Sequence, residues 1–158
     1  MIVFTPKSML RHKKAVSDPS ELRGDTAFRP VLSDPDVSPG AVERVLLCSG
    51  KIVWELRAER EKRSDDRTAI LPVEQLYPLP ATETKTELSR FPALREVRWV
   101  QDEPQNMGAW PFIALHLTPQ LEGTRLTSVT RPASASPAVG SMSQHTSEQR
   151  ELMERAFS

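Results

Sequence analysis

The sequence predicts an α/β fold: a three-layer sandwich whose mostly parallel sheet of about four to five strands carries helices on both faces. Two observations point to it. Short, almost continuous apolar runs such as Val45-Leu-Leu-Cys48 have the pattern of strands covered on both sides. Between them lie longer segments with apolar residues at helical spacing, each junction marked by Gly, Pro, Ser or Asp. Repeated strand–helix alternation of this kind implies parallel strands joined by right-handed crossovers.

Taken in order, Ile2-Val-Phe4 is a short apolar run that Pro6 ends, which suggests a fragment cut from something longer. Turn-forming clusters at Ser17–Ser20 and Leu32–Asp36 bracket an expected short strand, Phe28 to Leu32. Residues 1–41 therefore read as an irregular lead-in, and 42–158 as the α/β domain proper. The first core strand is Val45–Cys48. Ser49-Gly50 then turns the chain into a helix with Ile52, Val53 and Leu56 inward and a charged outer face, where Glu59 and Arg63 stand four apart in the favourable order.

Thr68–Val73 is the next strand. Pro72 cannot donate to a ladder, so it belongs at an edge, a bulge or a strand end. A second helix is expected over Thr82–Arg90, a third strand over Val97–Val100, and a third helix over Ala109–Leu121 with Pro111 tolerable in its first turn. Leu126–Val129 is the fourth strand. The last helix is expected over Ser147–Phe157, with Thr146 as cap and Gln149 completing a capping box.

The chain of 158 residues is about one domain long. Its 21 basic and 21 acidic side chains balance, so a general electrostatic attraction to nucleic acid or to an anionic membrane is unsupported. No apolar run approaches the roughly 18 residues of a membrane span, and the amino terminus lacks a signal-peptide pattern. A soluble intracellular chain is expected. Cys48 is the single cysteine; inside an apolar run it reads as a buried small side chain rather than a reactive thiol.

Local chemistry is sparse. Ser49-Gly50-Lys51 sits where a phosphate loop would, but has one glycine and Ile52 after the lysine, so it reads as a tight turn. His12, His116 and His145 have no metal-like spacing. His116 is expected in the core or at an interface. His145 suits either acid–base chemistry or, preferably, a capping or loop role. Ser134 and Ser136 lack the turn of a serine hydrolase. Asp102 and Glu103 are at the ligand-binding edge of a parallel sheet, but adjacent strand residues face opposite ways and make a poor acid–base pair. Trp99 belongs in the core, and Trp110 fits either core or subunit contact. The basic run Lys7–Lys14 reads as a solvated loop, with a phosphorylated ligand as the sharper alternative.

Several segments carry a resemblance that no single motif does. They are Thr5-Pro-Lys-Ser-Met-Leu-Arg-His12, Leu46-Leu-Cys-Ser-Gly-Lys51, Glu74-Gln-Leu-Tyr-Pro-Leu-Pro80, Gln101-Asp-Glu-Pro-Gln-Asn-Met-Gly-Ala-Trp110 and Arg131-Pro-Ala-Ser-Ala-Ser-Pro-Ala-Val-Gly140. Together and in this order they resemble the C-terminal domain of the thiamine-dependent decarboxylating component of 2-oxoglutarate dehydrogenase, a transketolase-like family. The similarity runs over almost the entire chain, to Glu151–Phe157.

The resemblance implies a transketolase C-terminal-like fold. It also implies an oxidoreductase of the tricarboxylic acid cycle that decarboxylates 2-oxoglutarate and passes the succinyl group to a lipoyl arm. Thiamine diphosphate and Mg2+ are implied for the full-length enzyme, not for this chain, which has no Gly-Asp-Gly stretch followed by asparagine. Implied partners are a second copy of the full-length chain, giving a homodimer, and the lipoyl-bearing succinyltransferase. A nucleotide regulator, AMP or acetyl-CoA, is implied too, with Arg11 and Arg29 as candidate anion contacts. Pro72 and Ala27 stand where acetyl-CoA-responsive relatives carry an arginine and a basic residue, which weakens the acetyl-CoA reading. Asn106, Trp110, Arg131, Ser134 and His145 are the candidates for an interface or an entrance loop. No catalytic residue is expected in this chain. A cytoplasmic location follows for a bacterial chain, the mitochondrial matrix for a eukaryotic one. The rival reading is a free-standing, non-enzymatic interaction module of the same fold.

Overall fold

The structure is a computed structural model that describes residue 2 and residues 5–121 and 123–158. Of the short apolar run Ile2–Phe4, Val3 and Phe4 lie outside the described residues. Among those described, short 3-10 turns at Lys7–Met9, Pro19–Leu22 and Pro39–Ala41 precede β1 (Arg44–Cys48). Then follow α1 (Ile52–Arg63), β2 (Thr68–Pro72), α2 (Ala81–Leu88), β3 (Glu96–Pro104), α3 (Trp110–Leu117), β4 (Arg125–Arg131) and α4 (Met142–Phe157). The four strands form one sheet in the order β2-β1-β3-β4, every neighbouring pair parallel. The predicted three-layer α/β architecture is the one observed.

Side-chain alternation builds the layers. Val45 and Leu47 of β1, Ala69 and Leu71 of β2, and Val97 and Trp99 of β3 point to one face, where Leu88, Ile113 and Leu117 of α2 and α3 cover them. Leu46, Cys48, Ile70, Val100 and Val129 point to the other, under Ile52, Val53 and Leu56 of α1 and Leu152, Met153, Ala156 and Phe157 of α4. Burying each large aliphatic side chain stabilises the fold by about 1.5–3 kcal/mol, so both faces contribute. Cys48 and Trp99 are core residues, as expected. Burial pushes the Cys48 thiol well above its ordinary range, which keeps it protonated and unreactive.

Pro72 closes β2, an edge strand, where its missing N–H costs no ladder bond. The strand expected over Phe28–Leu32 is reduced to one antiparallel bridge, Val31 to Val73, with Phe28 exposed. The proline at position 30 and the turn after it leave too little extended chain for a ladder. The bare edge is covered instead by Asp34. Its carboxylate accepts from the Ile70 N–H at 2.7 Å and ion-pairs with the buried Arg60 of α1.

Two further expectations need correcting. The last helix starts at Met142, not Ser147, and Thr146 is inside it, donating its hydroxyl to the Met142 carbonyl at 2.9 Å. Its first turn has no buried apolar residue, so periodicity could not mark the true start. Of the two places expected for His116, core or interface, the core of this chain is not the one observed. His116 is exposed on the outer side of α3, its ring 4.5 Å from that of Phe112.

Candidate functional site at the carboxyl edge of the sheet

In this strand order the chain moves one way from β1 to β2 and the other way from β3 to β4, so the crevice above β1 and β3 is the topological switch point. Two residues meet there. Gly50, at φ 73, lets the chain turn sharply off β1 and sets Lys51 at the head of α1. Asp102 projects from the extended end of β3, and the Lys51 ammonium lies 2.6 Å from its Oδ2 and 3.4 Å from Glu55 Oε1. Burial alone would lower the Lys51 pKa, but the Asp102 hydrogen bond and charge outweigh it and raise the pKa. Lys51 is thus a fixed cation and unsuited to act as a base at neutral pH.

The packing of α4 against the sheet edge extends this pair into a network. Gln149 Nε2 donates to Glu55 at 2.7 Å and to Asp102 at 3.1 Å, while its Oε1 accepts from Arg131 at 2.8 Å. Arg131, at the end of β4 and 7% exposed, also pairs with Glu148 at 2.8 Å and reaches His145 Nδ1 at 3.2 Å. Opposite it, the Asn106 side chain bridges the Ser134 backbone in both directions, donating to its carbonyl at 2.9 Å and accepting from its N–H at 3.0 Å. This two-way clasp ties the loop after β3 to the loop after β4. Between Pro104, Arg131, Ser134 and Gln144 it leaves a cleft of about 250 Å³.

Behind the clasp, Gln101 is the organiser. Its buried amide accepts from Trp99 Nε1 at 2.9 Å and from the Trp110 N–H at 2.8 Å, and donates to the Met107 carbonyl at 2.7 Å. Gly108, at φ 65, makes that geometry possible: a Cβ there would sit 2.8 Å from Gln101 Nε2. Trp110 is half-buried against the core.

The structure therefore gathers Asn106, Arg131, Ser134 and His145 at one edge, with Trp110 joined to them through Gln101. Arg11 and Arg29 are elsewhere, exposed in the lead-in, Arg29 paired with Glu21 at 2.8 Å. Lys51, Glu55, Gln149 and Glu148 are members of the network that sequence reasoning missed. The signal was faint: Lys51 follows β1 and Asp102 ends β3, but nothing in the spacing shows that α4 packs Glu148 and Gln149 beside them.

Chemically the arrangement clamps loops. Its carboxylates are each engaged by a cation or an amide, and Ser134 and Ser136 hydroxyls pair within their own loop. Among the described residues no three His, Cys, Asp or Glu side chains are grouped to hold a metal ion.

Comparison with known proteins matches this frame. The family model for the 2-oxoglutarate dehydrogenase C-terminal region covers residues 16–157. The 2-oxoglutarate dehydrogenase E1 component of Cupriavidus necator is 42% identical over 99% of this chain, and that of Brucella anthropi 43%. The multifunctional 2-oxoglutarate metabolism enzyme of a Mycobacterium species is also 43% identical. The chain spans only 17% of the first two and 13% of the third. Among solved structures, a split-gene transketolase, described as an inactive β4 tetramer, superposes with a TM-score of 0.55 at 11% identity. It covers 84% of this chain and 44% of its own, and shows the shared fold. With 142 of its residues, 16 to 157, inside the family model, the chain belongs to the 2-oxoglutarate dehydrogenase C-terminal family.

Proposed function

We propose that this chain works as the C-terminal domain of a 2-oxoglutarate dehydrogenase decarboxylating component, with residues 42–158 as the α/β unit and 1–41 as its lead-in. The full-length enzyme carries out oxidative decarboxylation of 2-oxoglutarate and succinyl transfer to a lipoyl arm. The observation that supports this reading best is identity over 99% of this chain with relatives of which it spans 17%. The domain's own part is mechanical. The clasped loops at the carboxyl edge give a firm wall beside the path of the lipoyl arm. The α3 side, with Tyr77 83% and Leu115 68% exposed around Phe112, offers an apolar face to the neighbouring domains of the homodimer.

Thiamine diphosphate and Mg2+ do not fit the residues present. The two cations nearest the switch point, Lys51 and Arg131, are already neutralised by Asp102 and Glu148. In this reading the other domains of the full-length enzyme hold both groups. Its partners are the second copy and the lipoyl-bearing succinyltransferase. Arg11 and Arg29 are kept as anion contacts for an AMP or acetyl-CoA regulator. The enzyme is placed in the bacterial cytoplasm.

The test is a lipoyl-independent ferricyanide assay of the isolated chain with 2-oxoglutarate, thiamine diphosphate and Mg2+. The expected result is no turnover above the protein-free background; measurable turnover would overturn the assignment of the reacting centre to other domains.

A further inference from the structure

The opposite edge of the sheet, where the strands begin, carries a different surface. Arg67 precedes β2, Arg44 opens β1, Arg95 precedes β3 and Arg125 opens β4. In the strand order β2-β1-β3-β4 these arginines stand in a row, one per strand, around an open cleft of about 560 Å³ with Phe157 in its wall. Four of the chain's 15 arginines line this one cleft.

The carboxylates in the cleft wall, Glu43, Asp65 and Glu96, are one fewer than its four arginines. Glu96 is saturated: it accepts from Arg44 at 2.6 Å and from Arg98 at 2.9 Å. Burial would raise the Glu96 pKa, but those two arginines lower it, so the carboxylate stays ionised and committed to them. Asp65 accepts from the Arg67 N–H at 2.8 Å and the Thr68 hydroxyl at 2.7 Å. Arg67 and Arg95 are left to share Glu43 Oε2, and Arg95 is 3.7 Å away and 77% exposed. Arg125 is exposed and makes no ion pair among the described residues. Among the described residues, Arg67, Arg95 and Arg125 thus have Glu43 as their one ion-pair partner, with Asp65 beside them held by a backbone N–H and a hydroxyl.

We propose that this edge binds an extended acidic polypeptide segment. Adjacent strands are about 4.8 Å apart, so the row from β2 to β4 spans roughly 14 Å. One phosphate-sized oxyanion engages one or two of these groups and leaves the others unused. An extended segment presents alternate side chains at about 7 Å intervals, so three carboxylates on one side cover the row, within the reach of arginine side chains. Arginine also pairs with carboxylates in a two-pronged geometry that fixes orientation. This surface is on the far side of the sheet from the switch-point network, and its test does not depend on the enzymatic assignment.

The experiment is fluorescence anisotropy with a labelled ten-residue peptide of alternating Glu and Ser, and a Lys-Ser peptide as control. The Glu-Ser peptide is expected to bind at low ionic strength, to release above about 0.3 M salt, and the Lys-Ser peptide not to bind. Arg125→Gln, which breaks no ion pair, is expected to weaken binding about threefold, and the triple variant Arg67→Gln/Arg95→Gln/Arg125→Gln about tenfold or more. Circular dichroism checks that both variants fold. Lys7→Gln/Lys13→Gln in the basic lead-in is expected to leave binding unchanged. Failure of the peptide to bind, equal binding by the triple variant, or displacement of the peptide by equimolar pyrophosphate overturns the proposal.

Discussion

Asp34→Ala is expected to lower the unfolding free energy by about 3–5 kcal/mol. Asp34 is 1% exposed and Arg60 7%. The substitution leaves the Arg60 guanidinium buried, with the Thr68 carbonyl at 3.2 Å and the distant Asp36 carboxylate at 3.4 Å as its only acceptors. It also removes the acceptor for the Ile70 N–H, a backbone donor on the edge strand. The loss is large against a total stability of about 5–15 kcal/mol and corresponds to a drop in Tm of roughly 6–20 °C. A urea titration measures it. Replacing both partners at once, Asp34→Leu with Arg60→Met, is expected to recover most of the stability, because the buried charge is removed along with its partner. A loss under about 1 kcal/mol for Asp34→Ala would show that water reaches Arg60 and that the pair does not cap the sheet edge.

Gly108→Ala is expected to cost about 2–5 kcal/mol, from two separable sources. A side chain at φ 65 is strained by about 1–2 kcal/mol. The new Cβ would also lie 2.8 Å from Gln101 Nε2 and 3.0 Å from Glu103 Cβ. Gln101 must then move and surrender its bonds to Trp99, Trp110 and Met107, leaving buried polar groups unsatisfied at about 1–3 kcal/mol. Because two of those partners are tryptophans, the native fluorescence spectrum is expected to shift together with the urea midpoint. A loss of unfolding free energy under about 0.5 kcal/mol with an unaltered spectrum would mean that the loop after β3 accommodates the methyl and that Gln101 is not its organiser.

Legibility in the sequence followed the apolar pattern. β1 was visible because Val45, Leu46, Leu47 and Cys48 are all covered, and α1 because Ile52, Val53 and Leu56 repeat at helical spacing. The layered fold followed from that alternation. Where polar contacts determine structure, the pattern failed. Nothing in the spacing of Asp34 and Arg60, 26 residues apart, announces a buried pair, and the first turn of α4 carries only Met, Ser, Gln, His and Thr. The candidate edge loops were found from their resemblance to a family. The geometry then added the groups that hold them, Gln101 behind the clasp and Lys51, Asp102 and Gln149 beside it.

The central claim is that this domain serves an active centre built by other parts of one larger polypeptide. The most direct measurement is the mass and cofactor content of the product of the native gene, purified from its own cells. The account predicts a polypeptide several times longer than 158 residues, carrying thiamine diphosphate. A native product of these residues alone, stable and free of the cofactor, would contradict it.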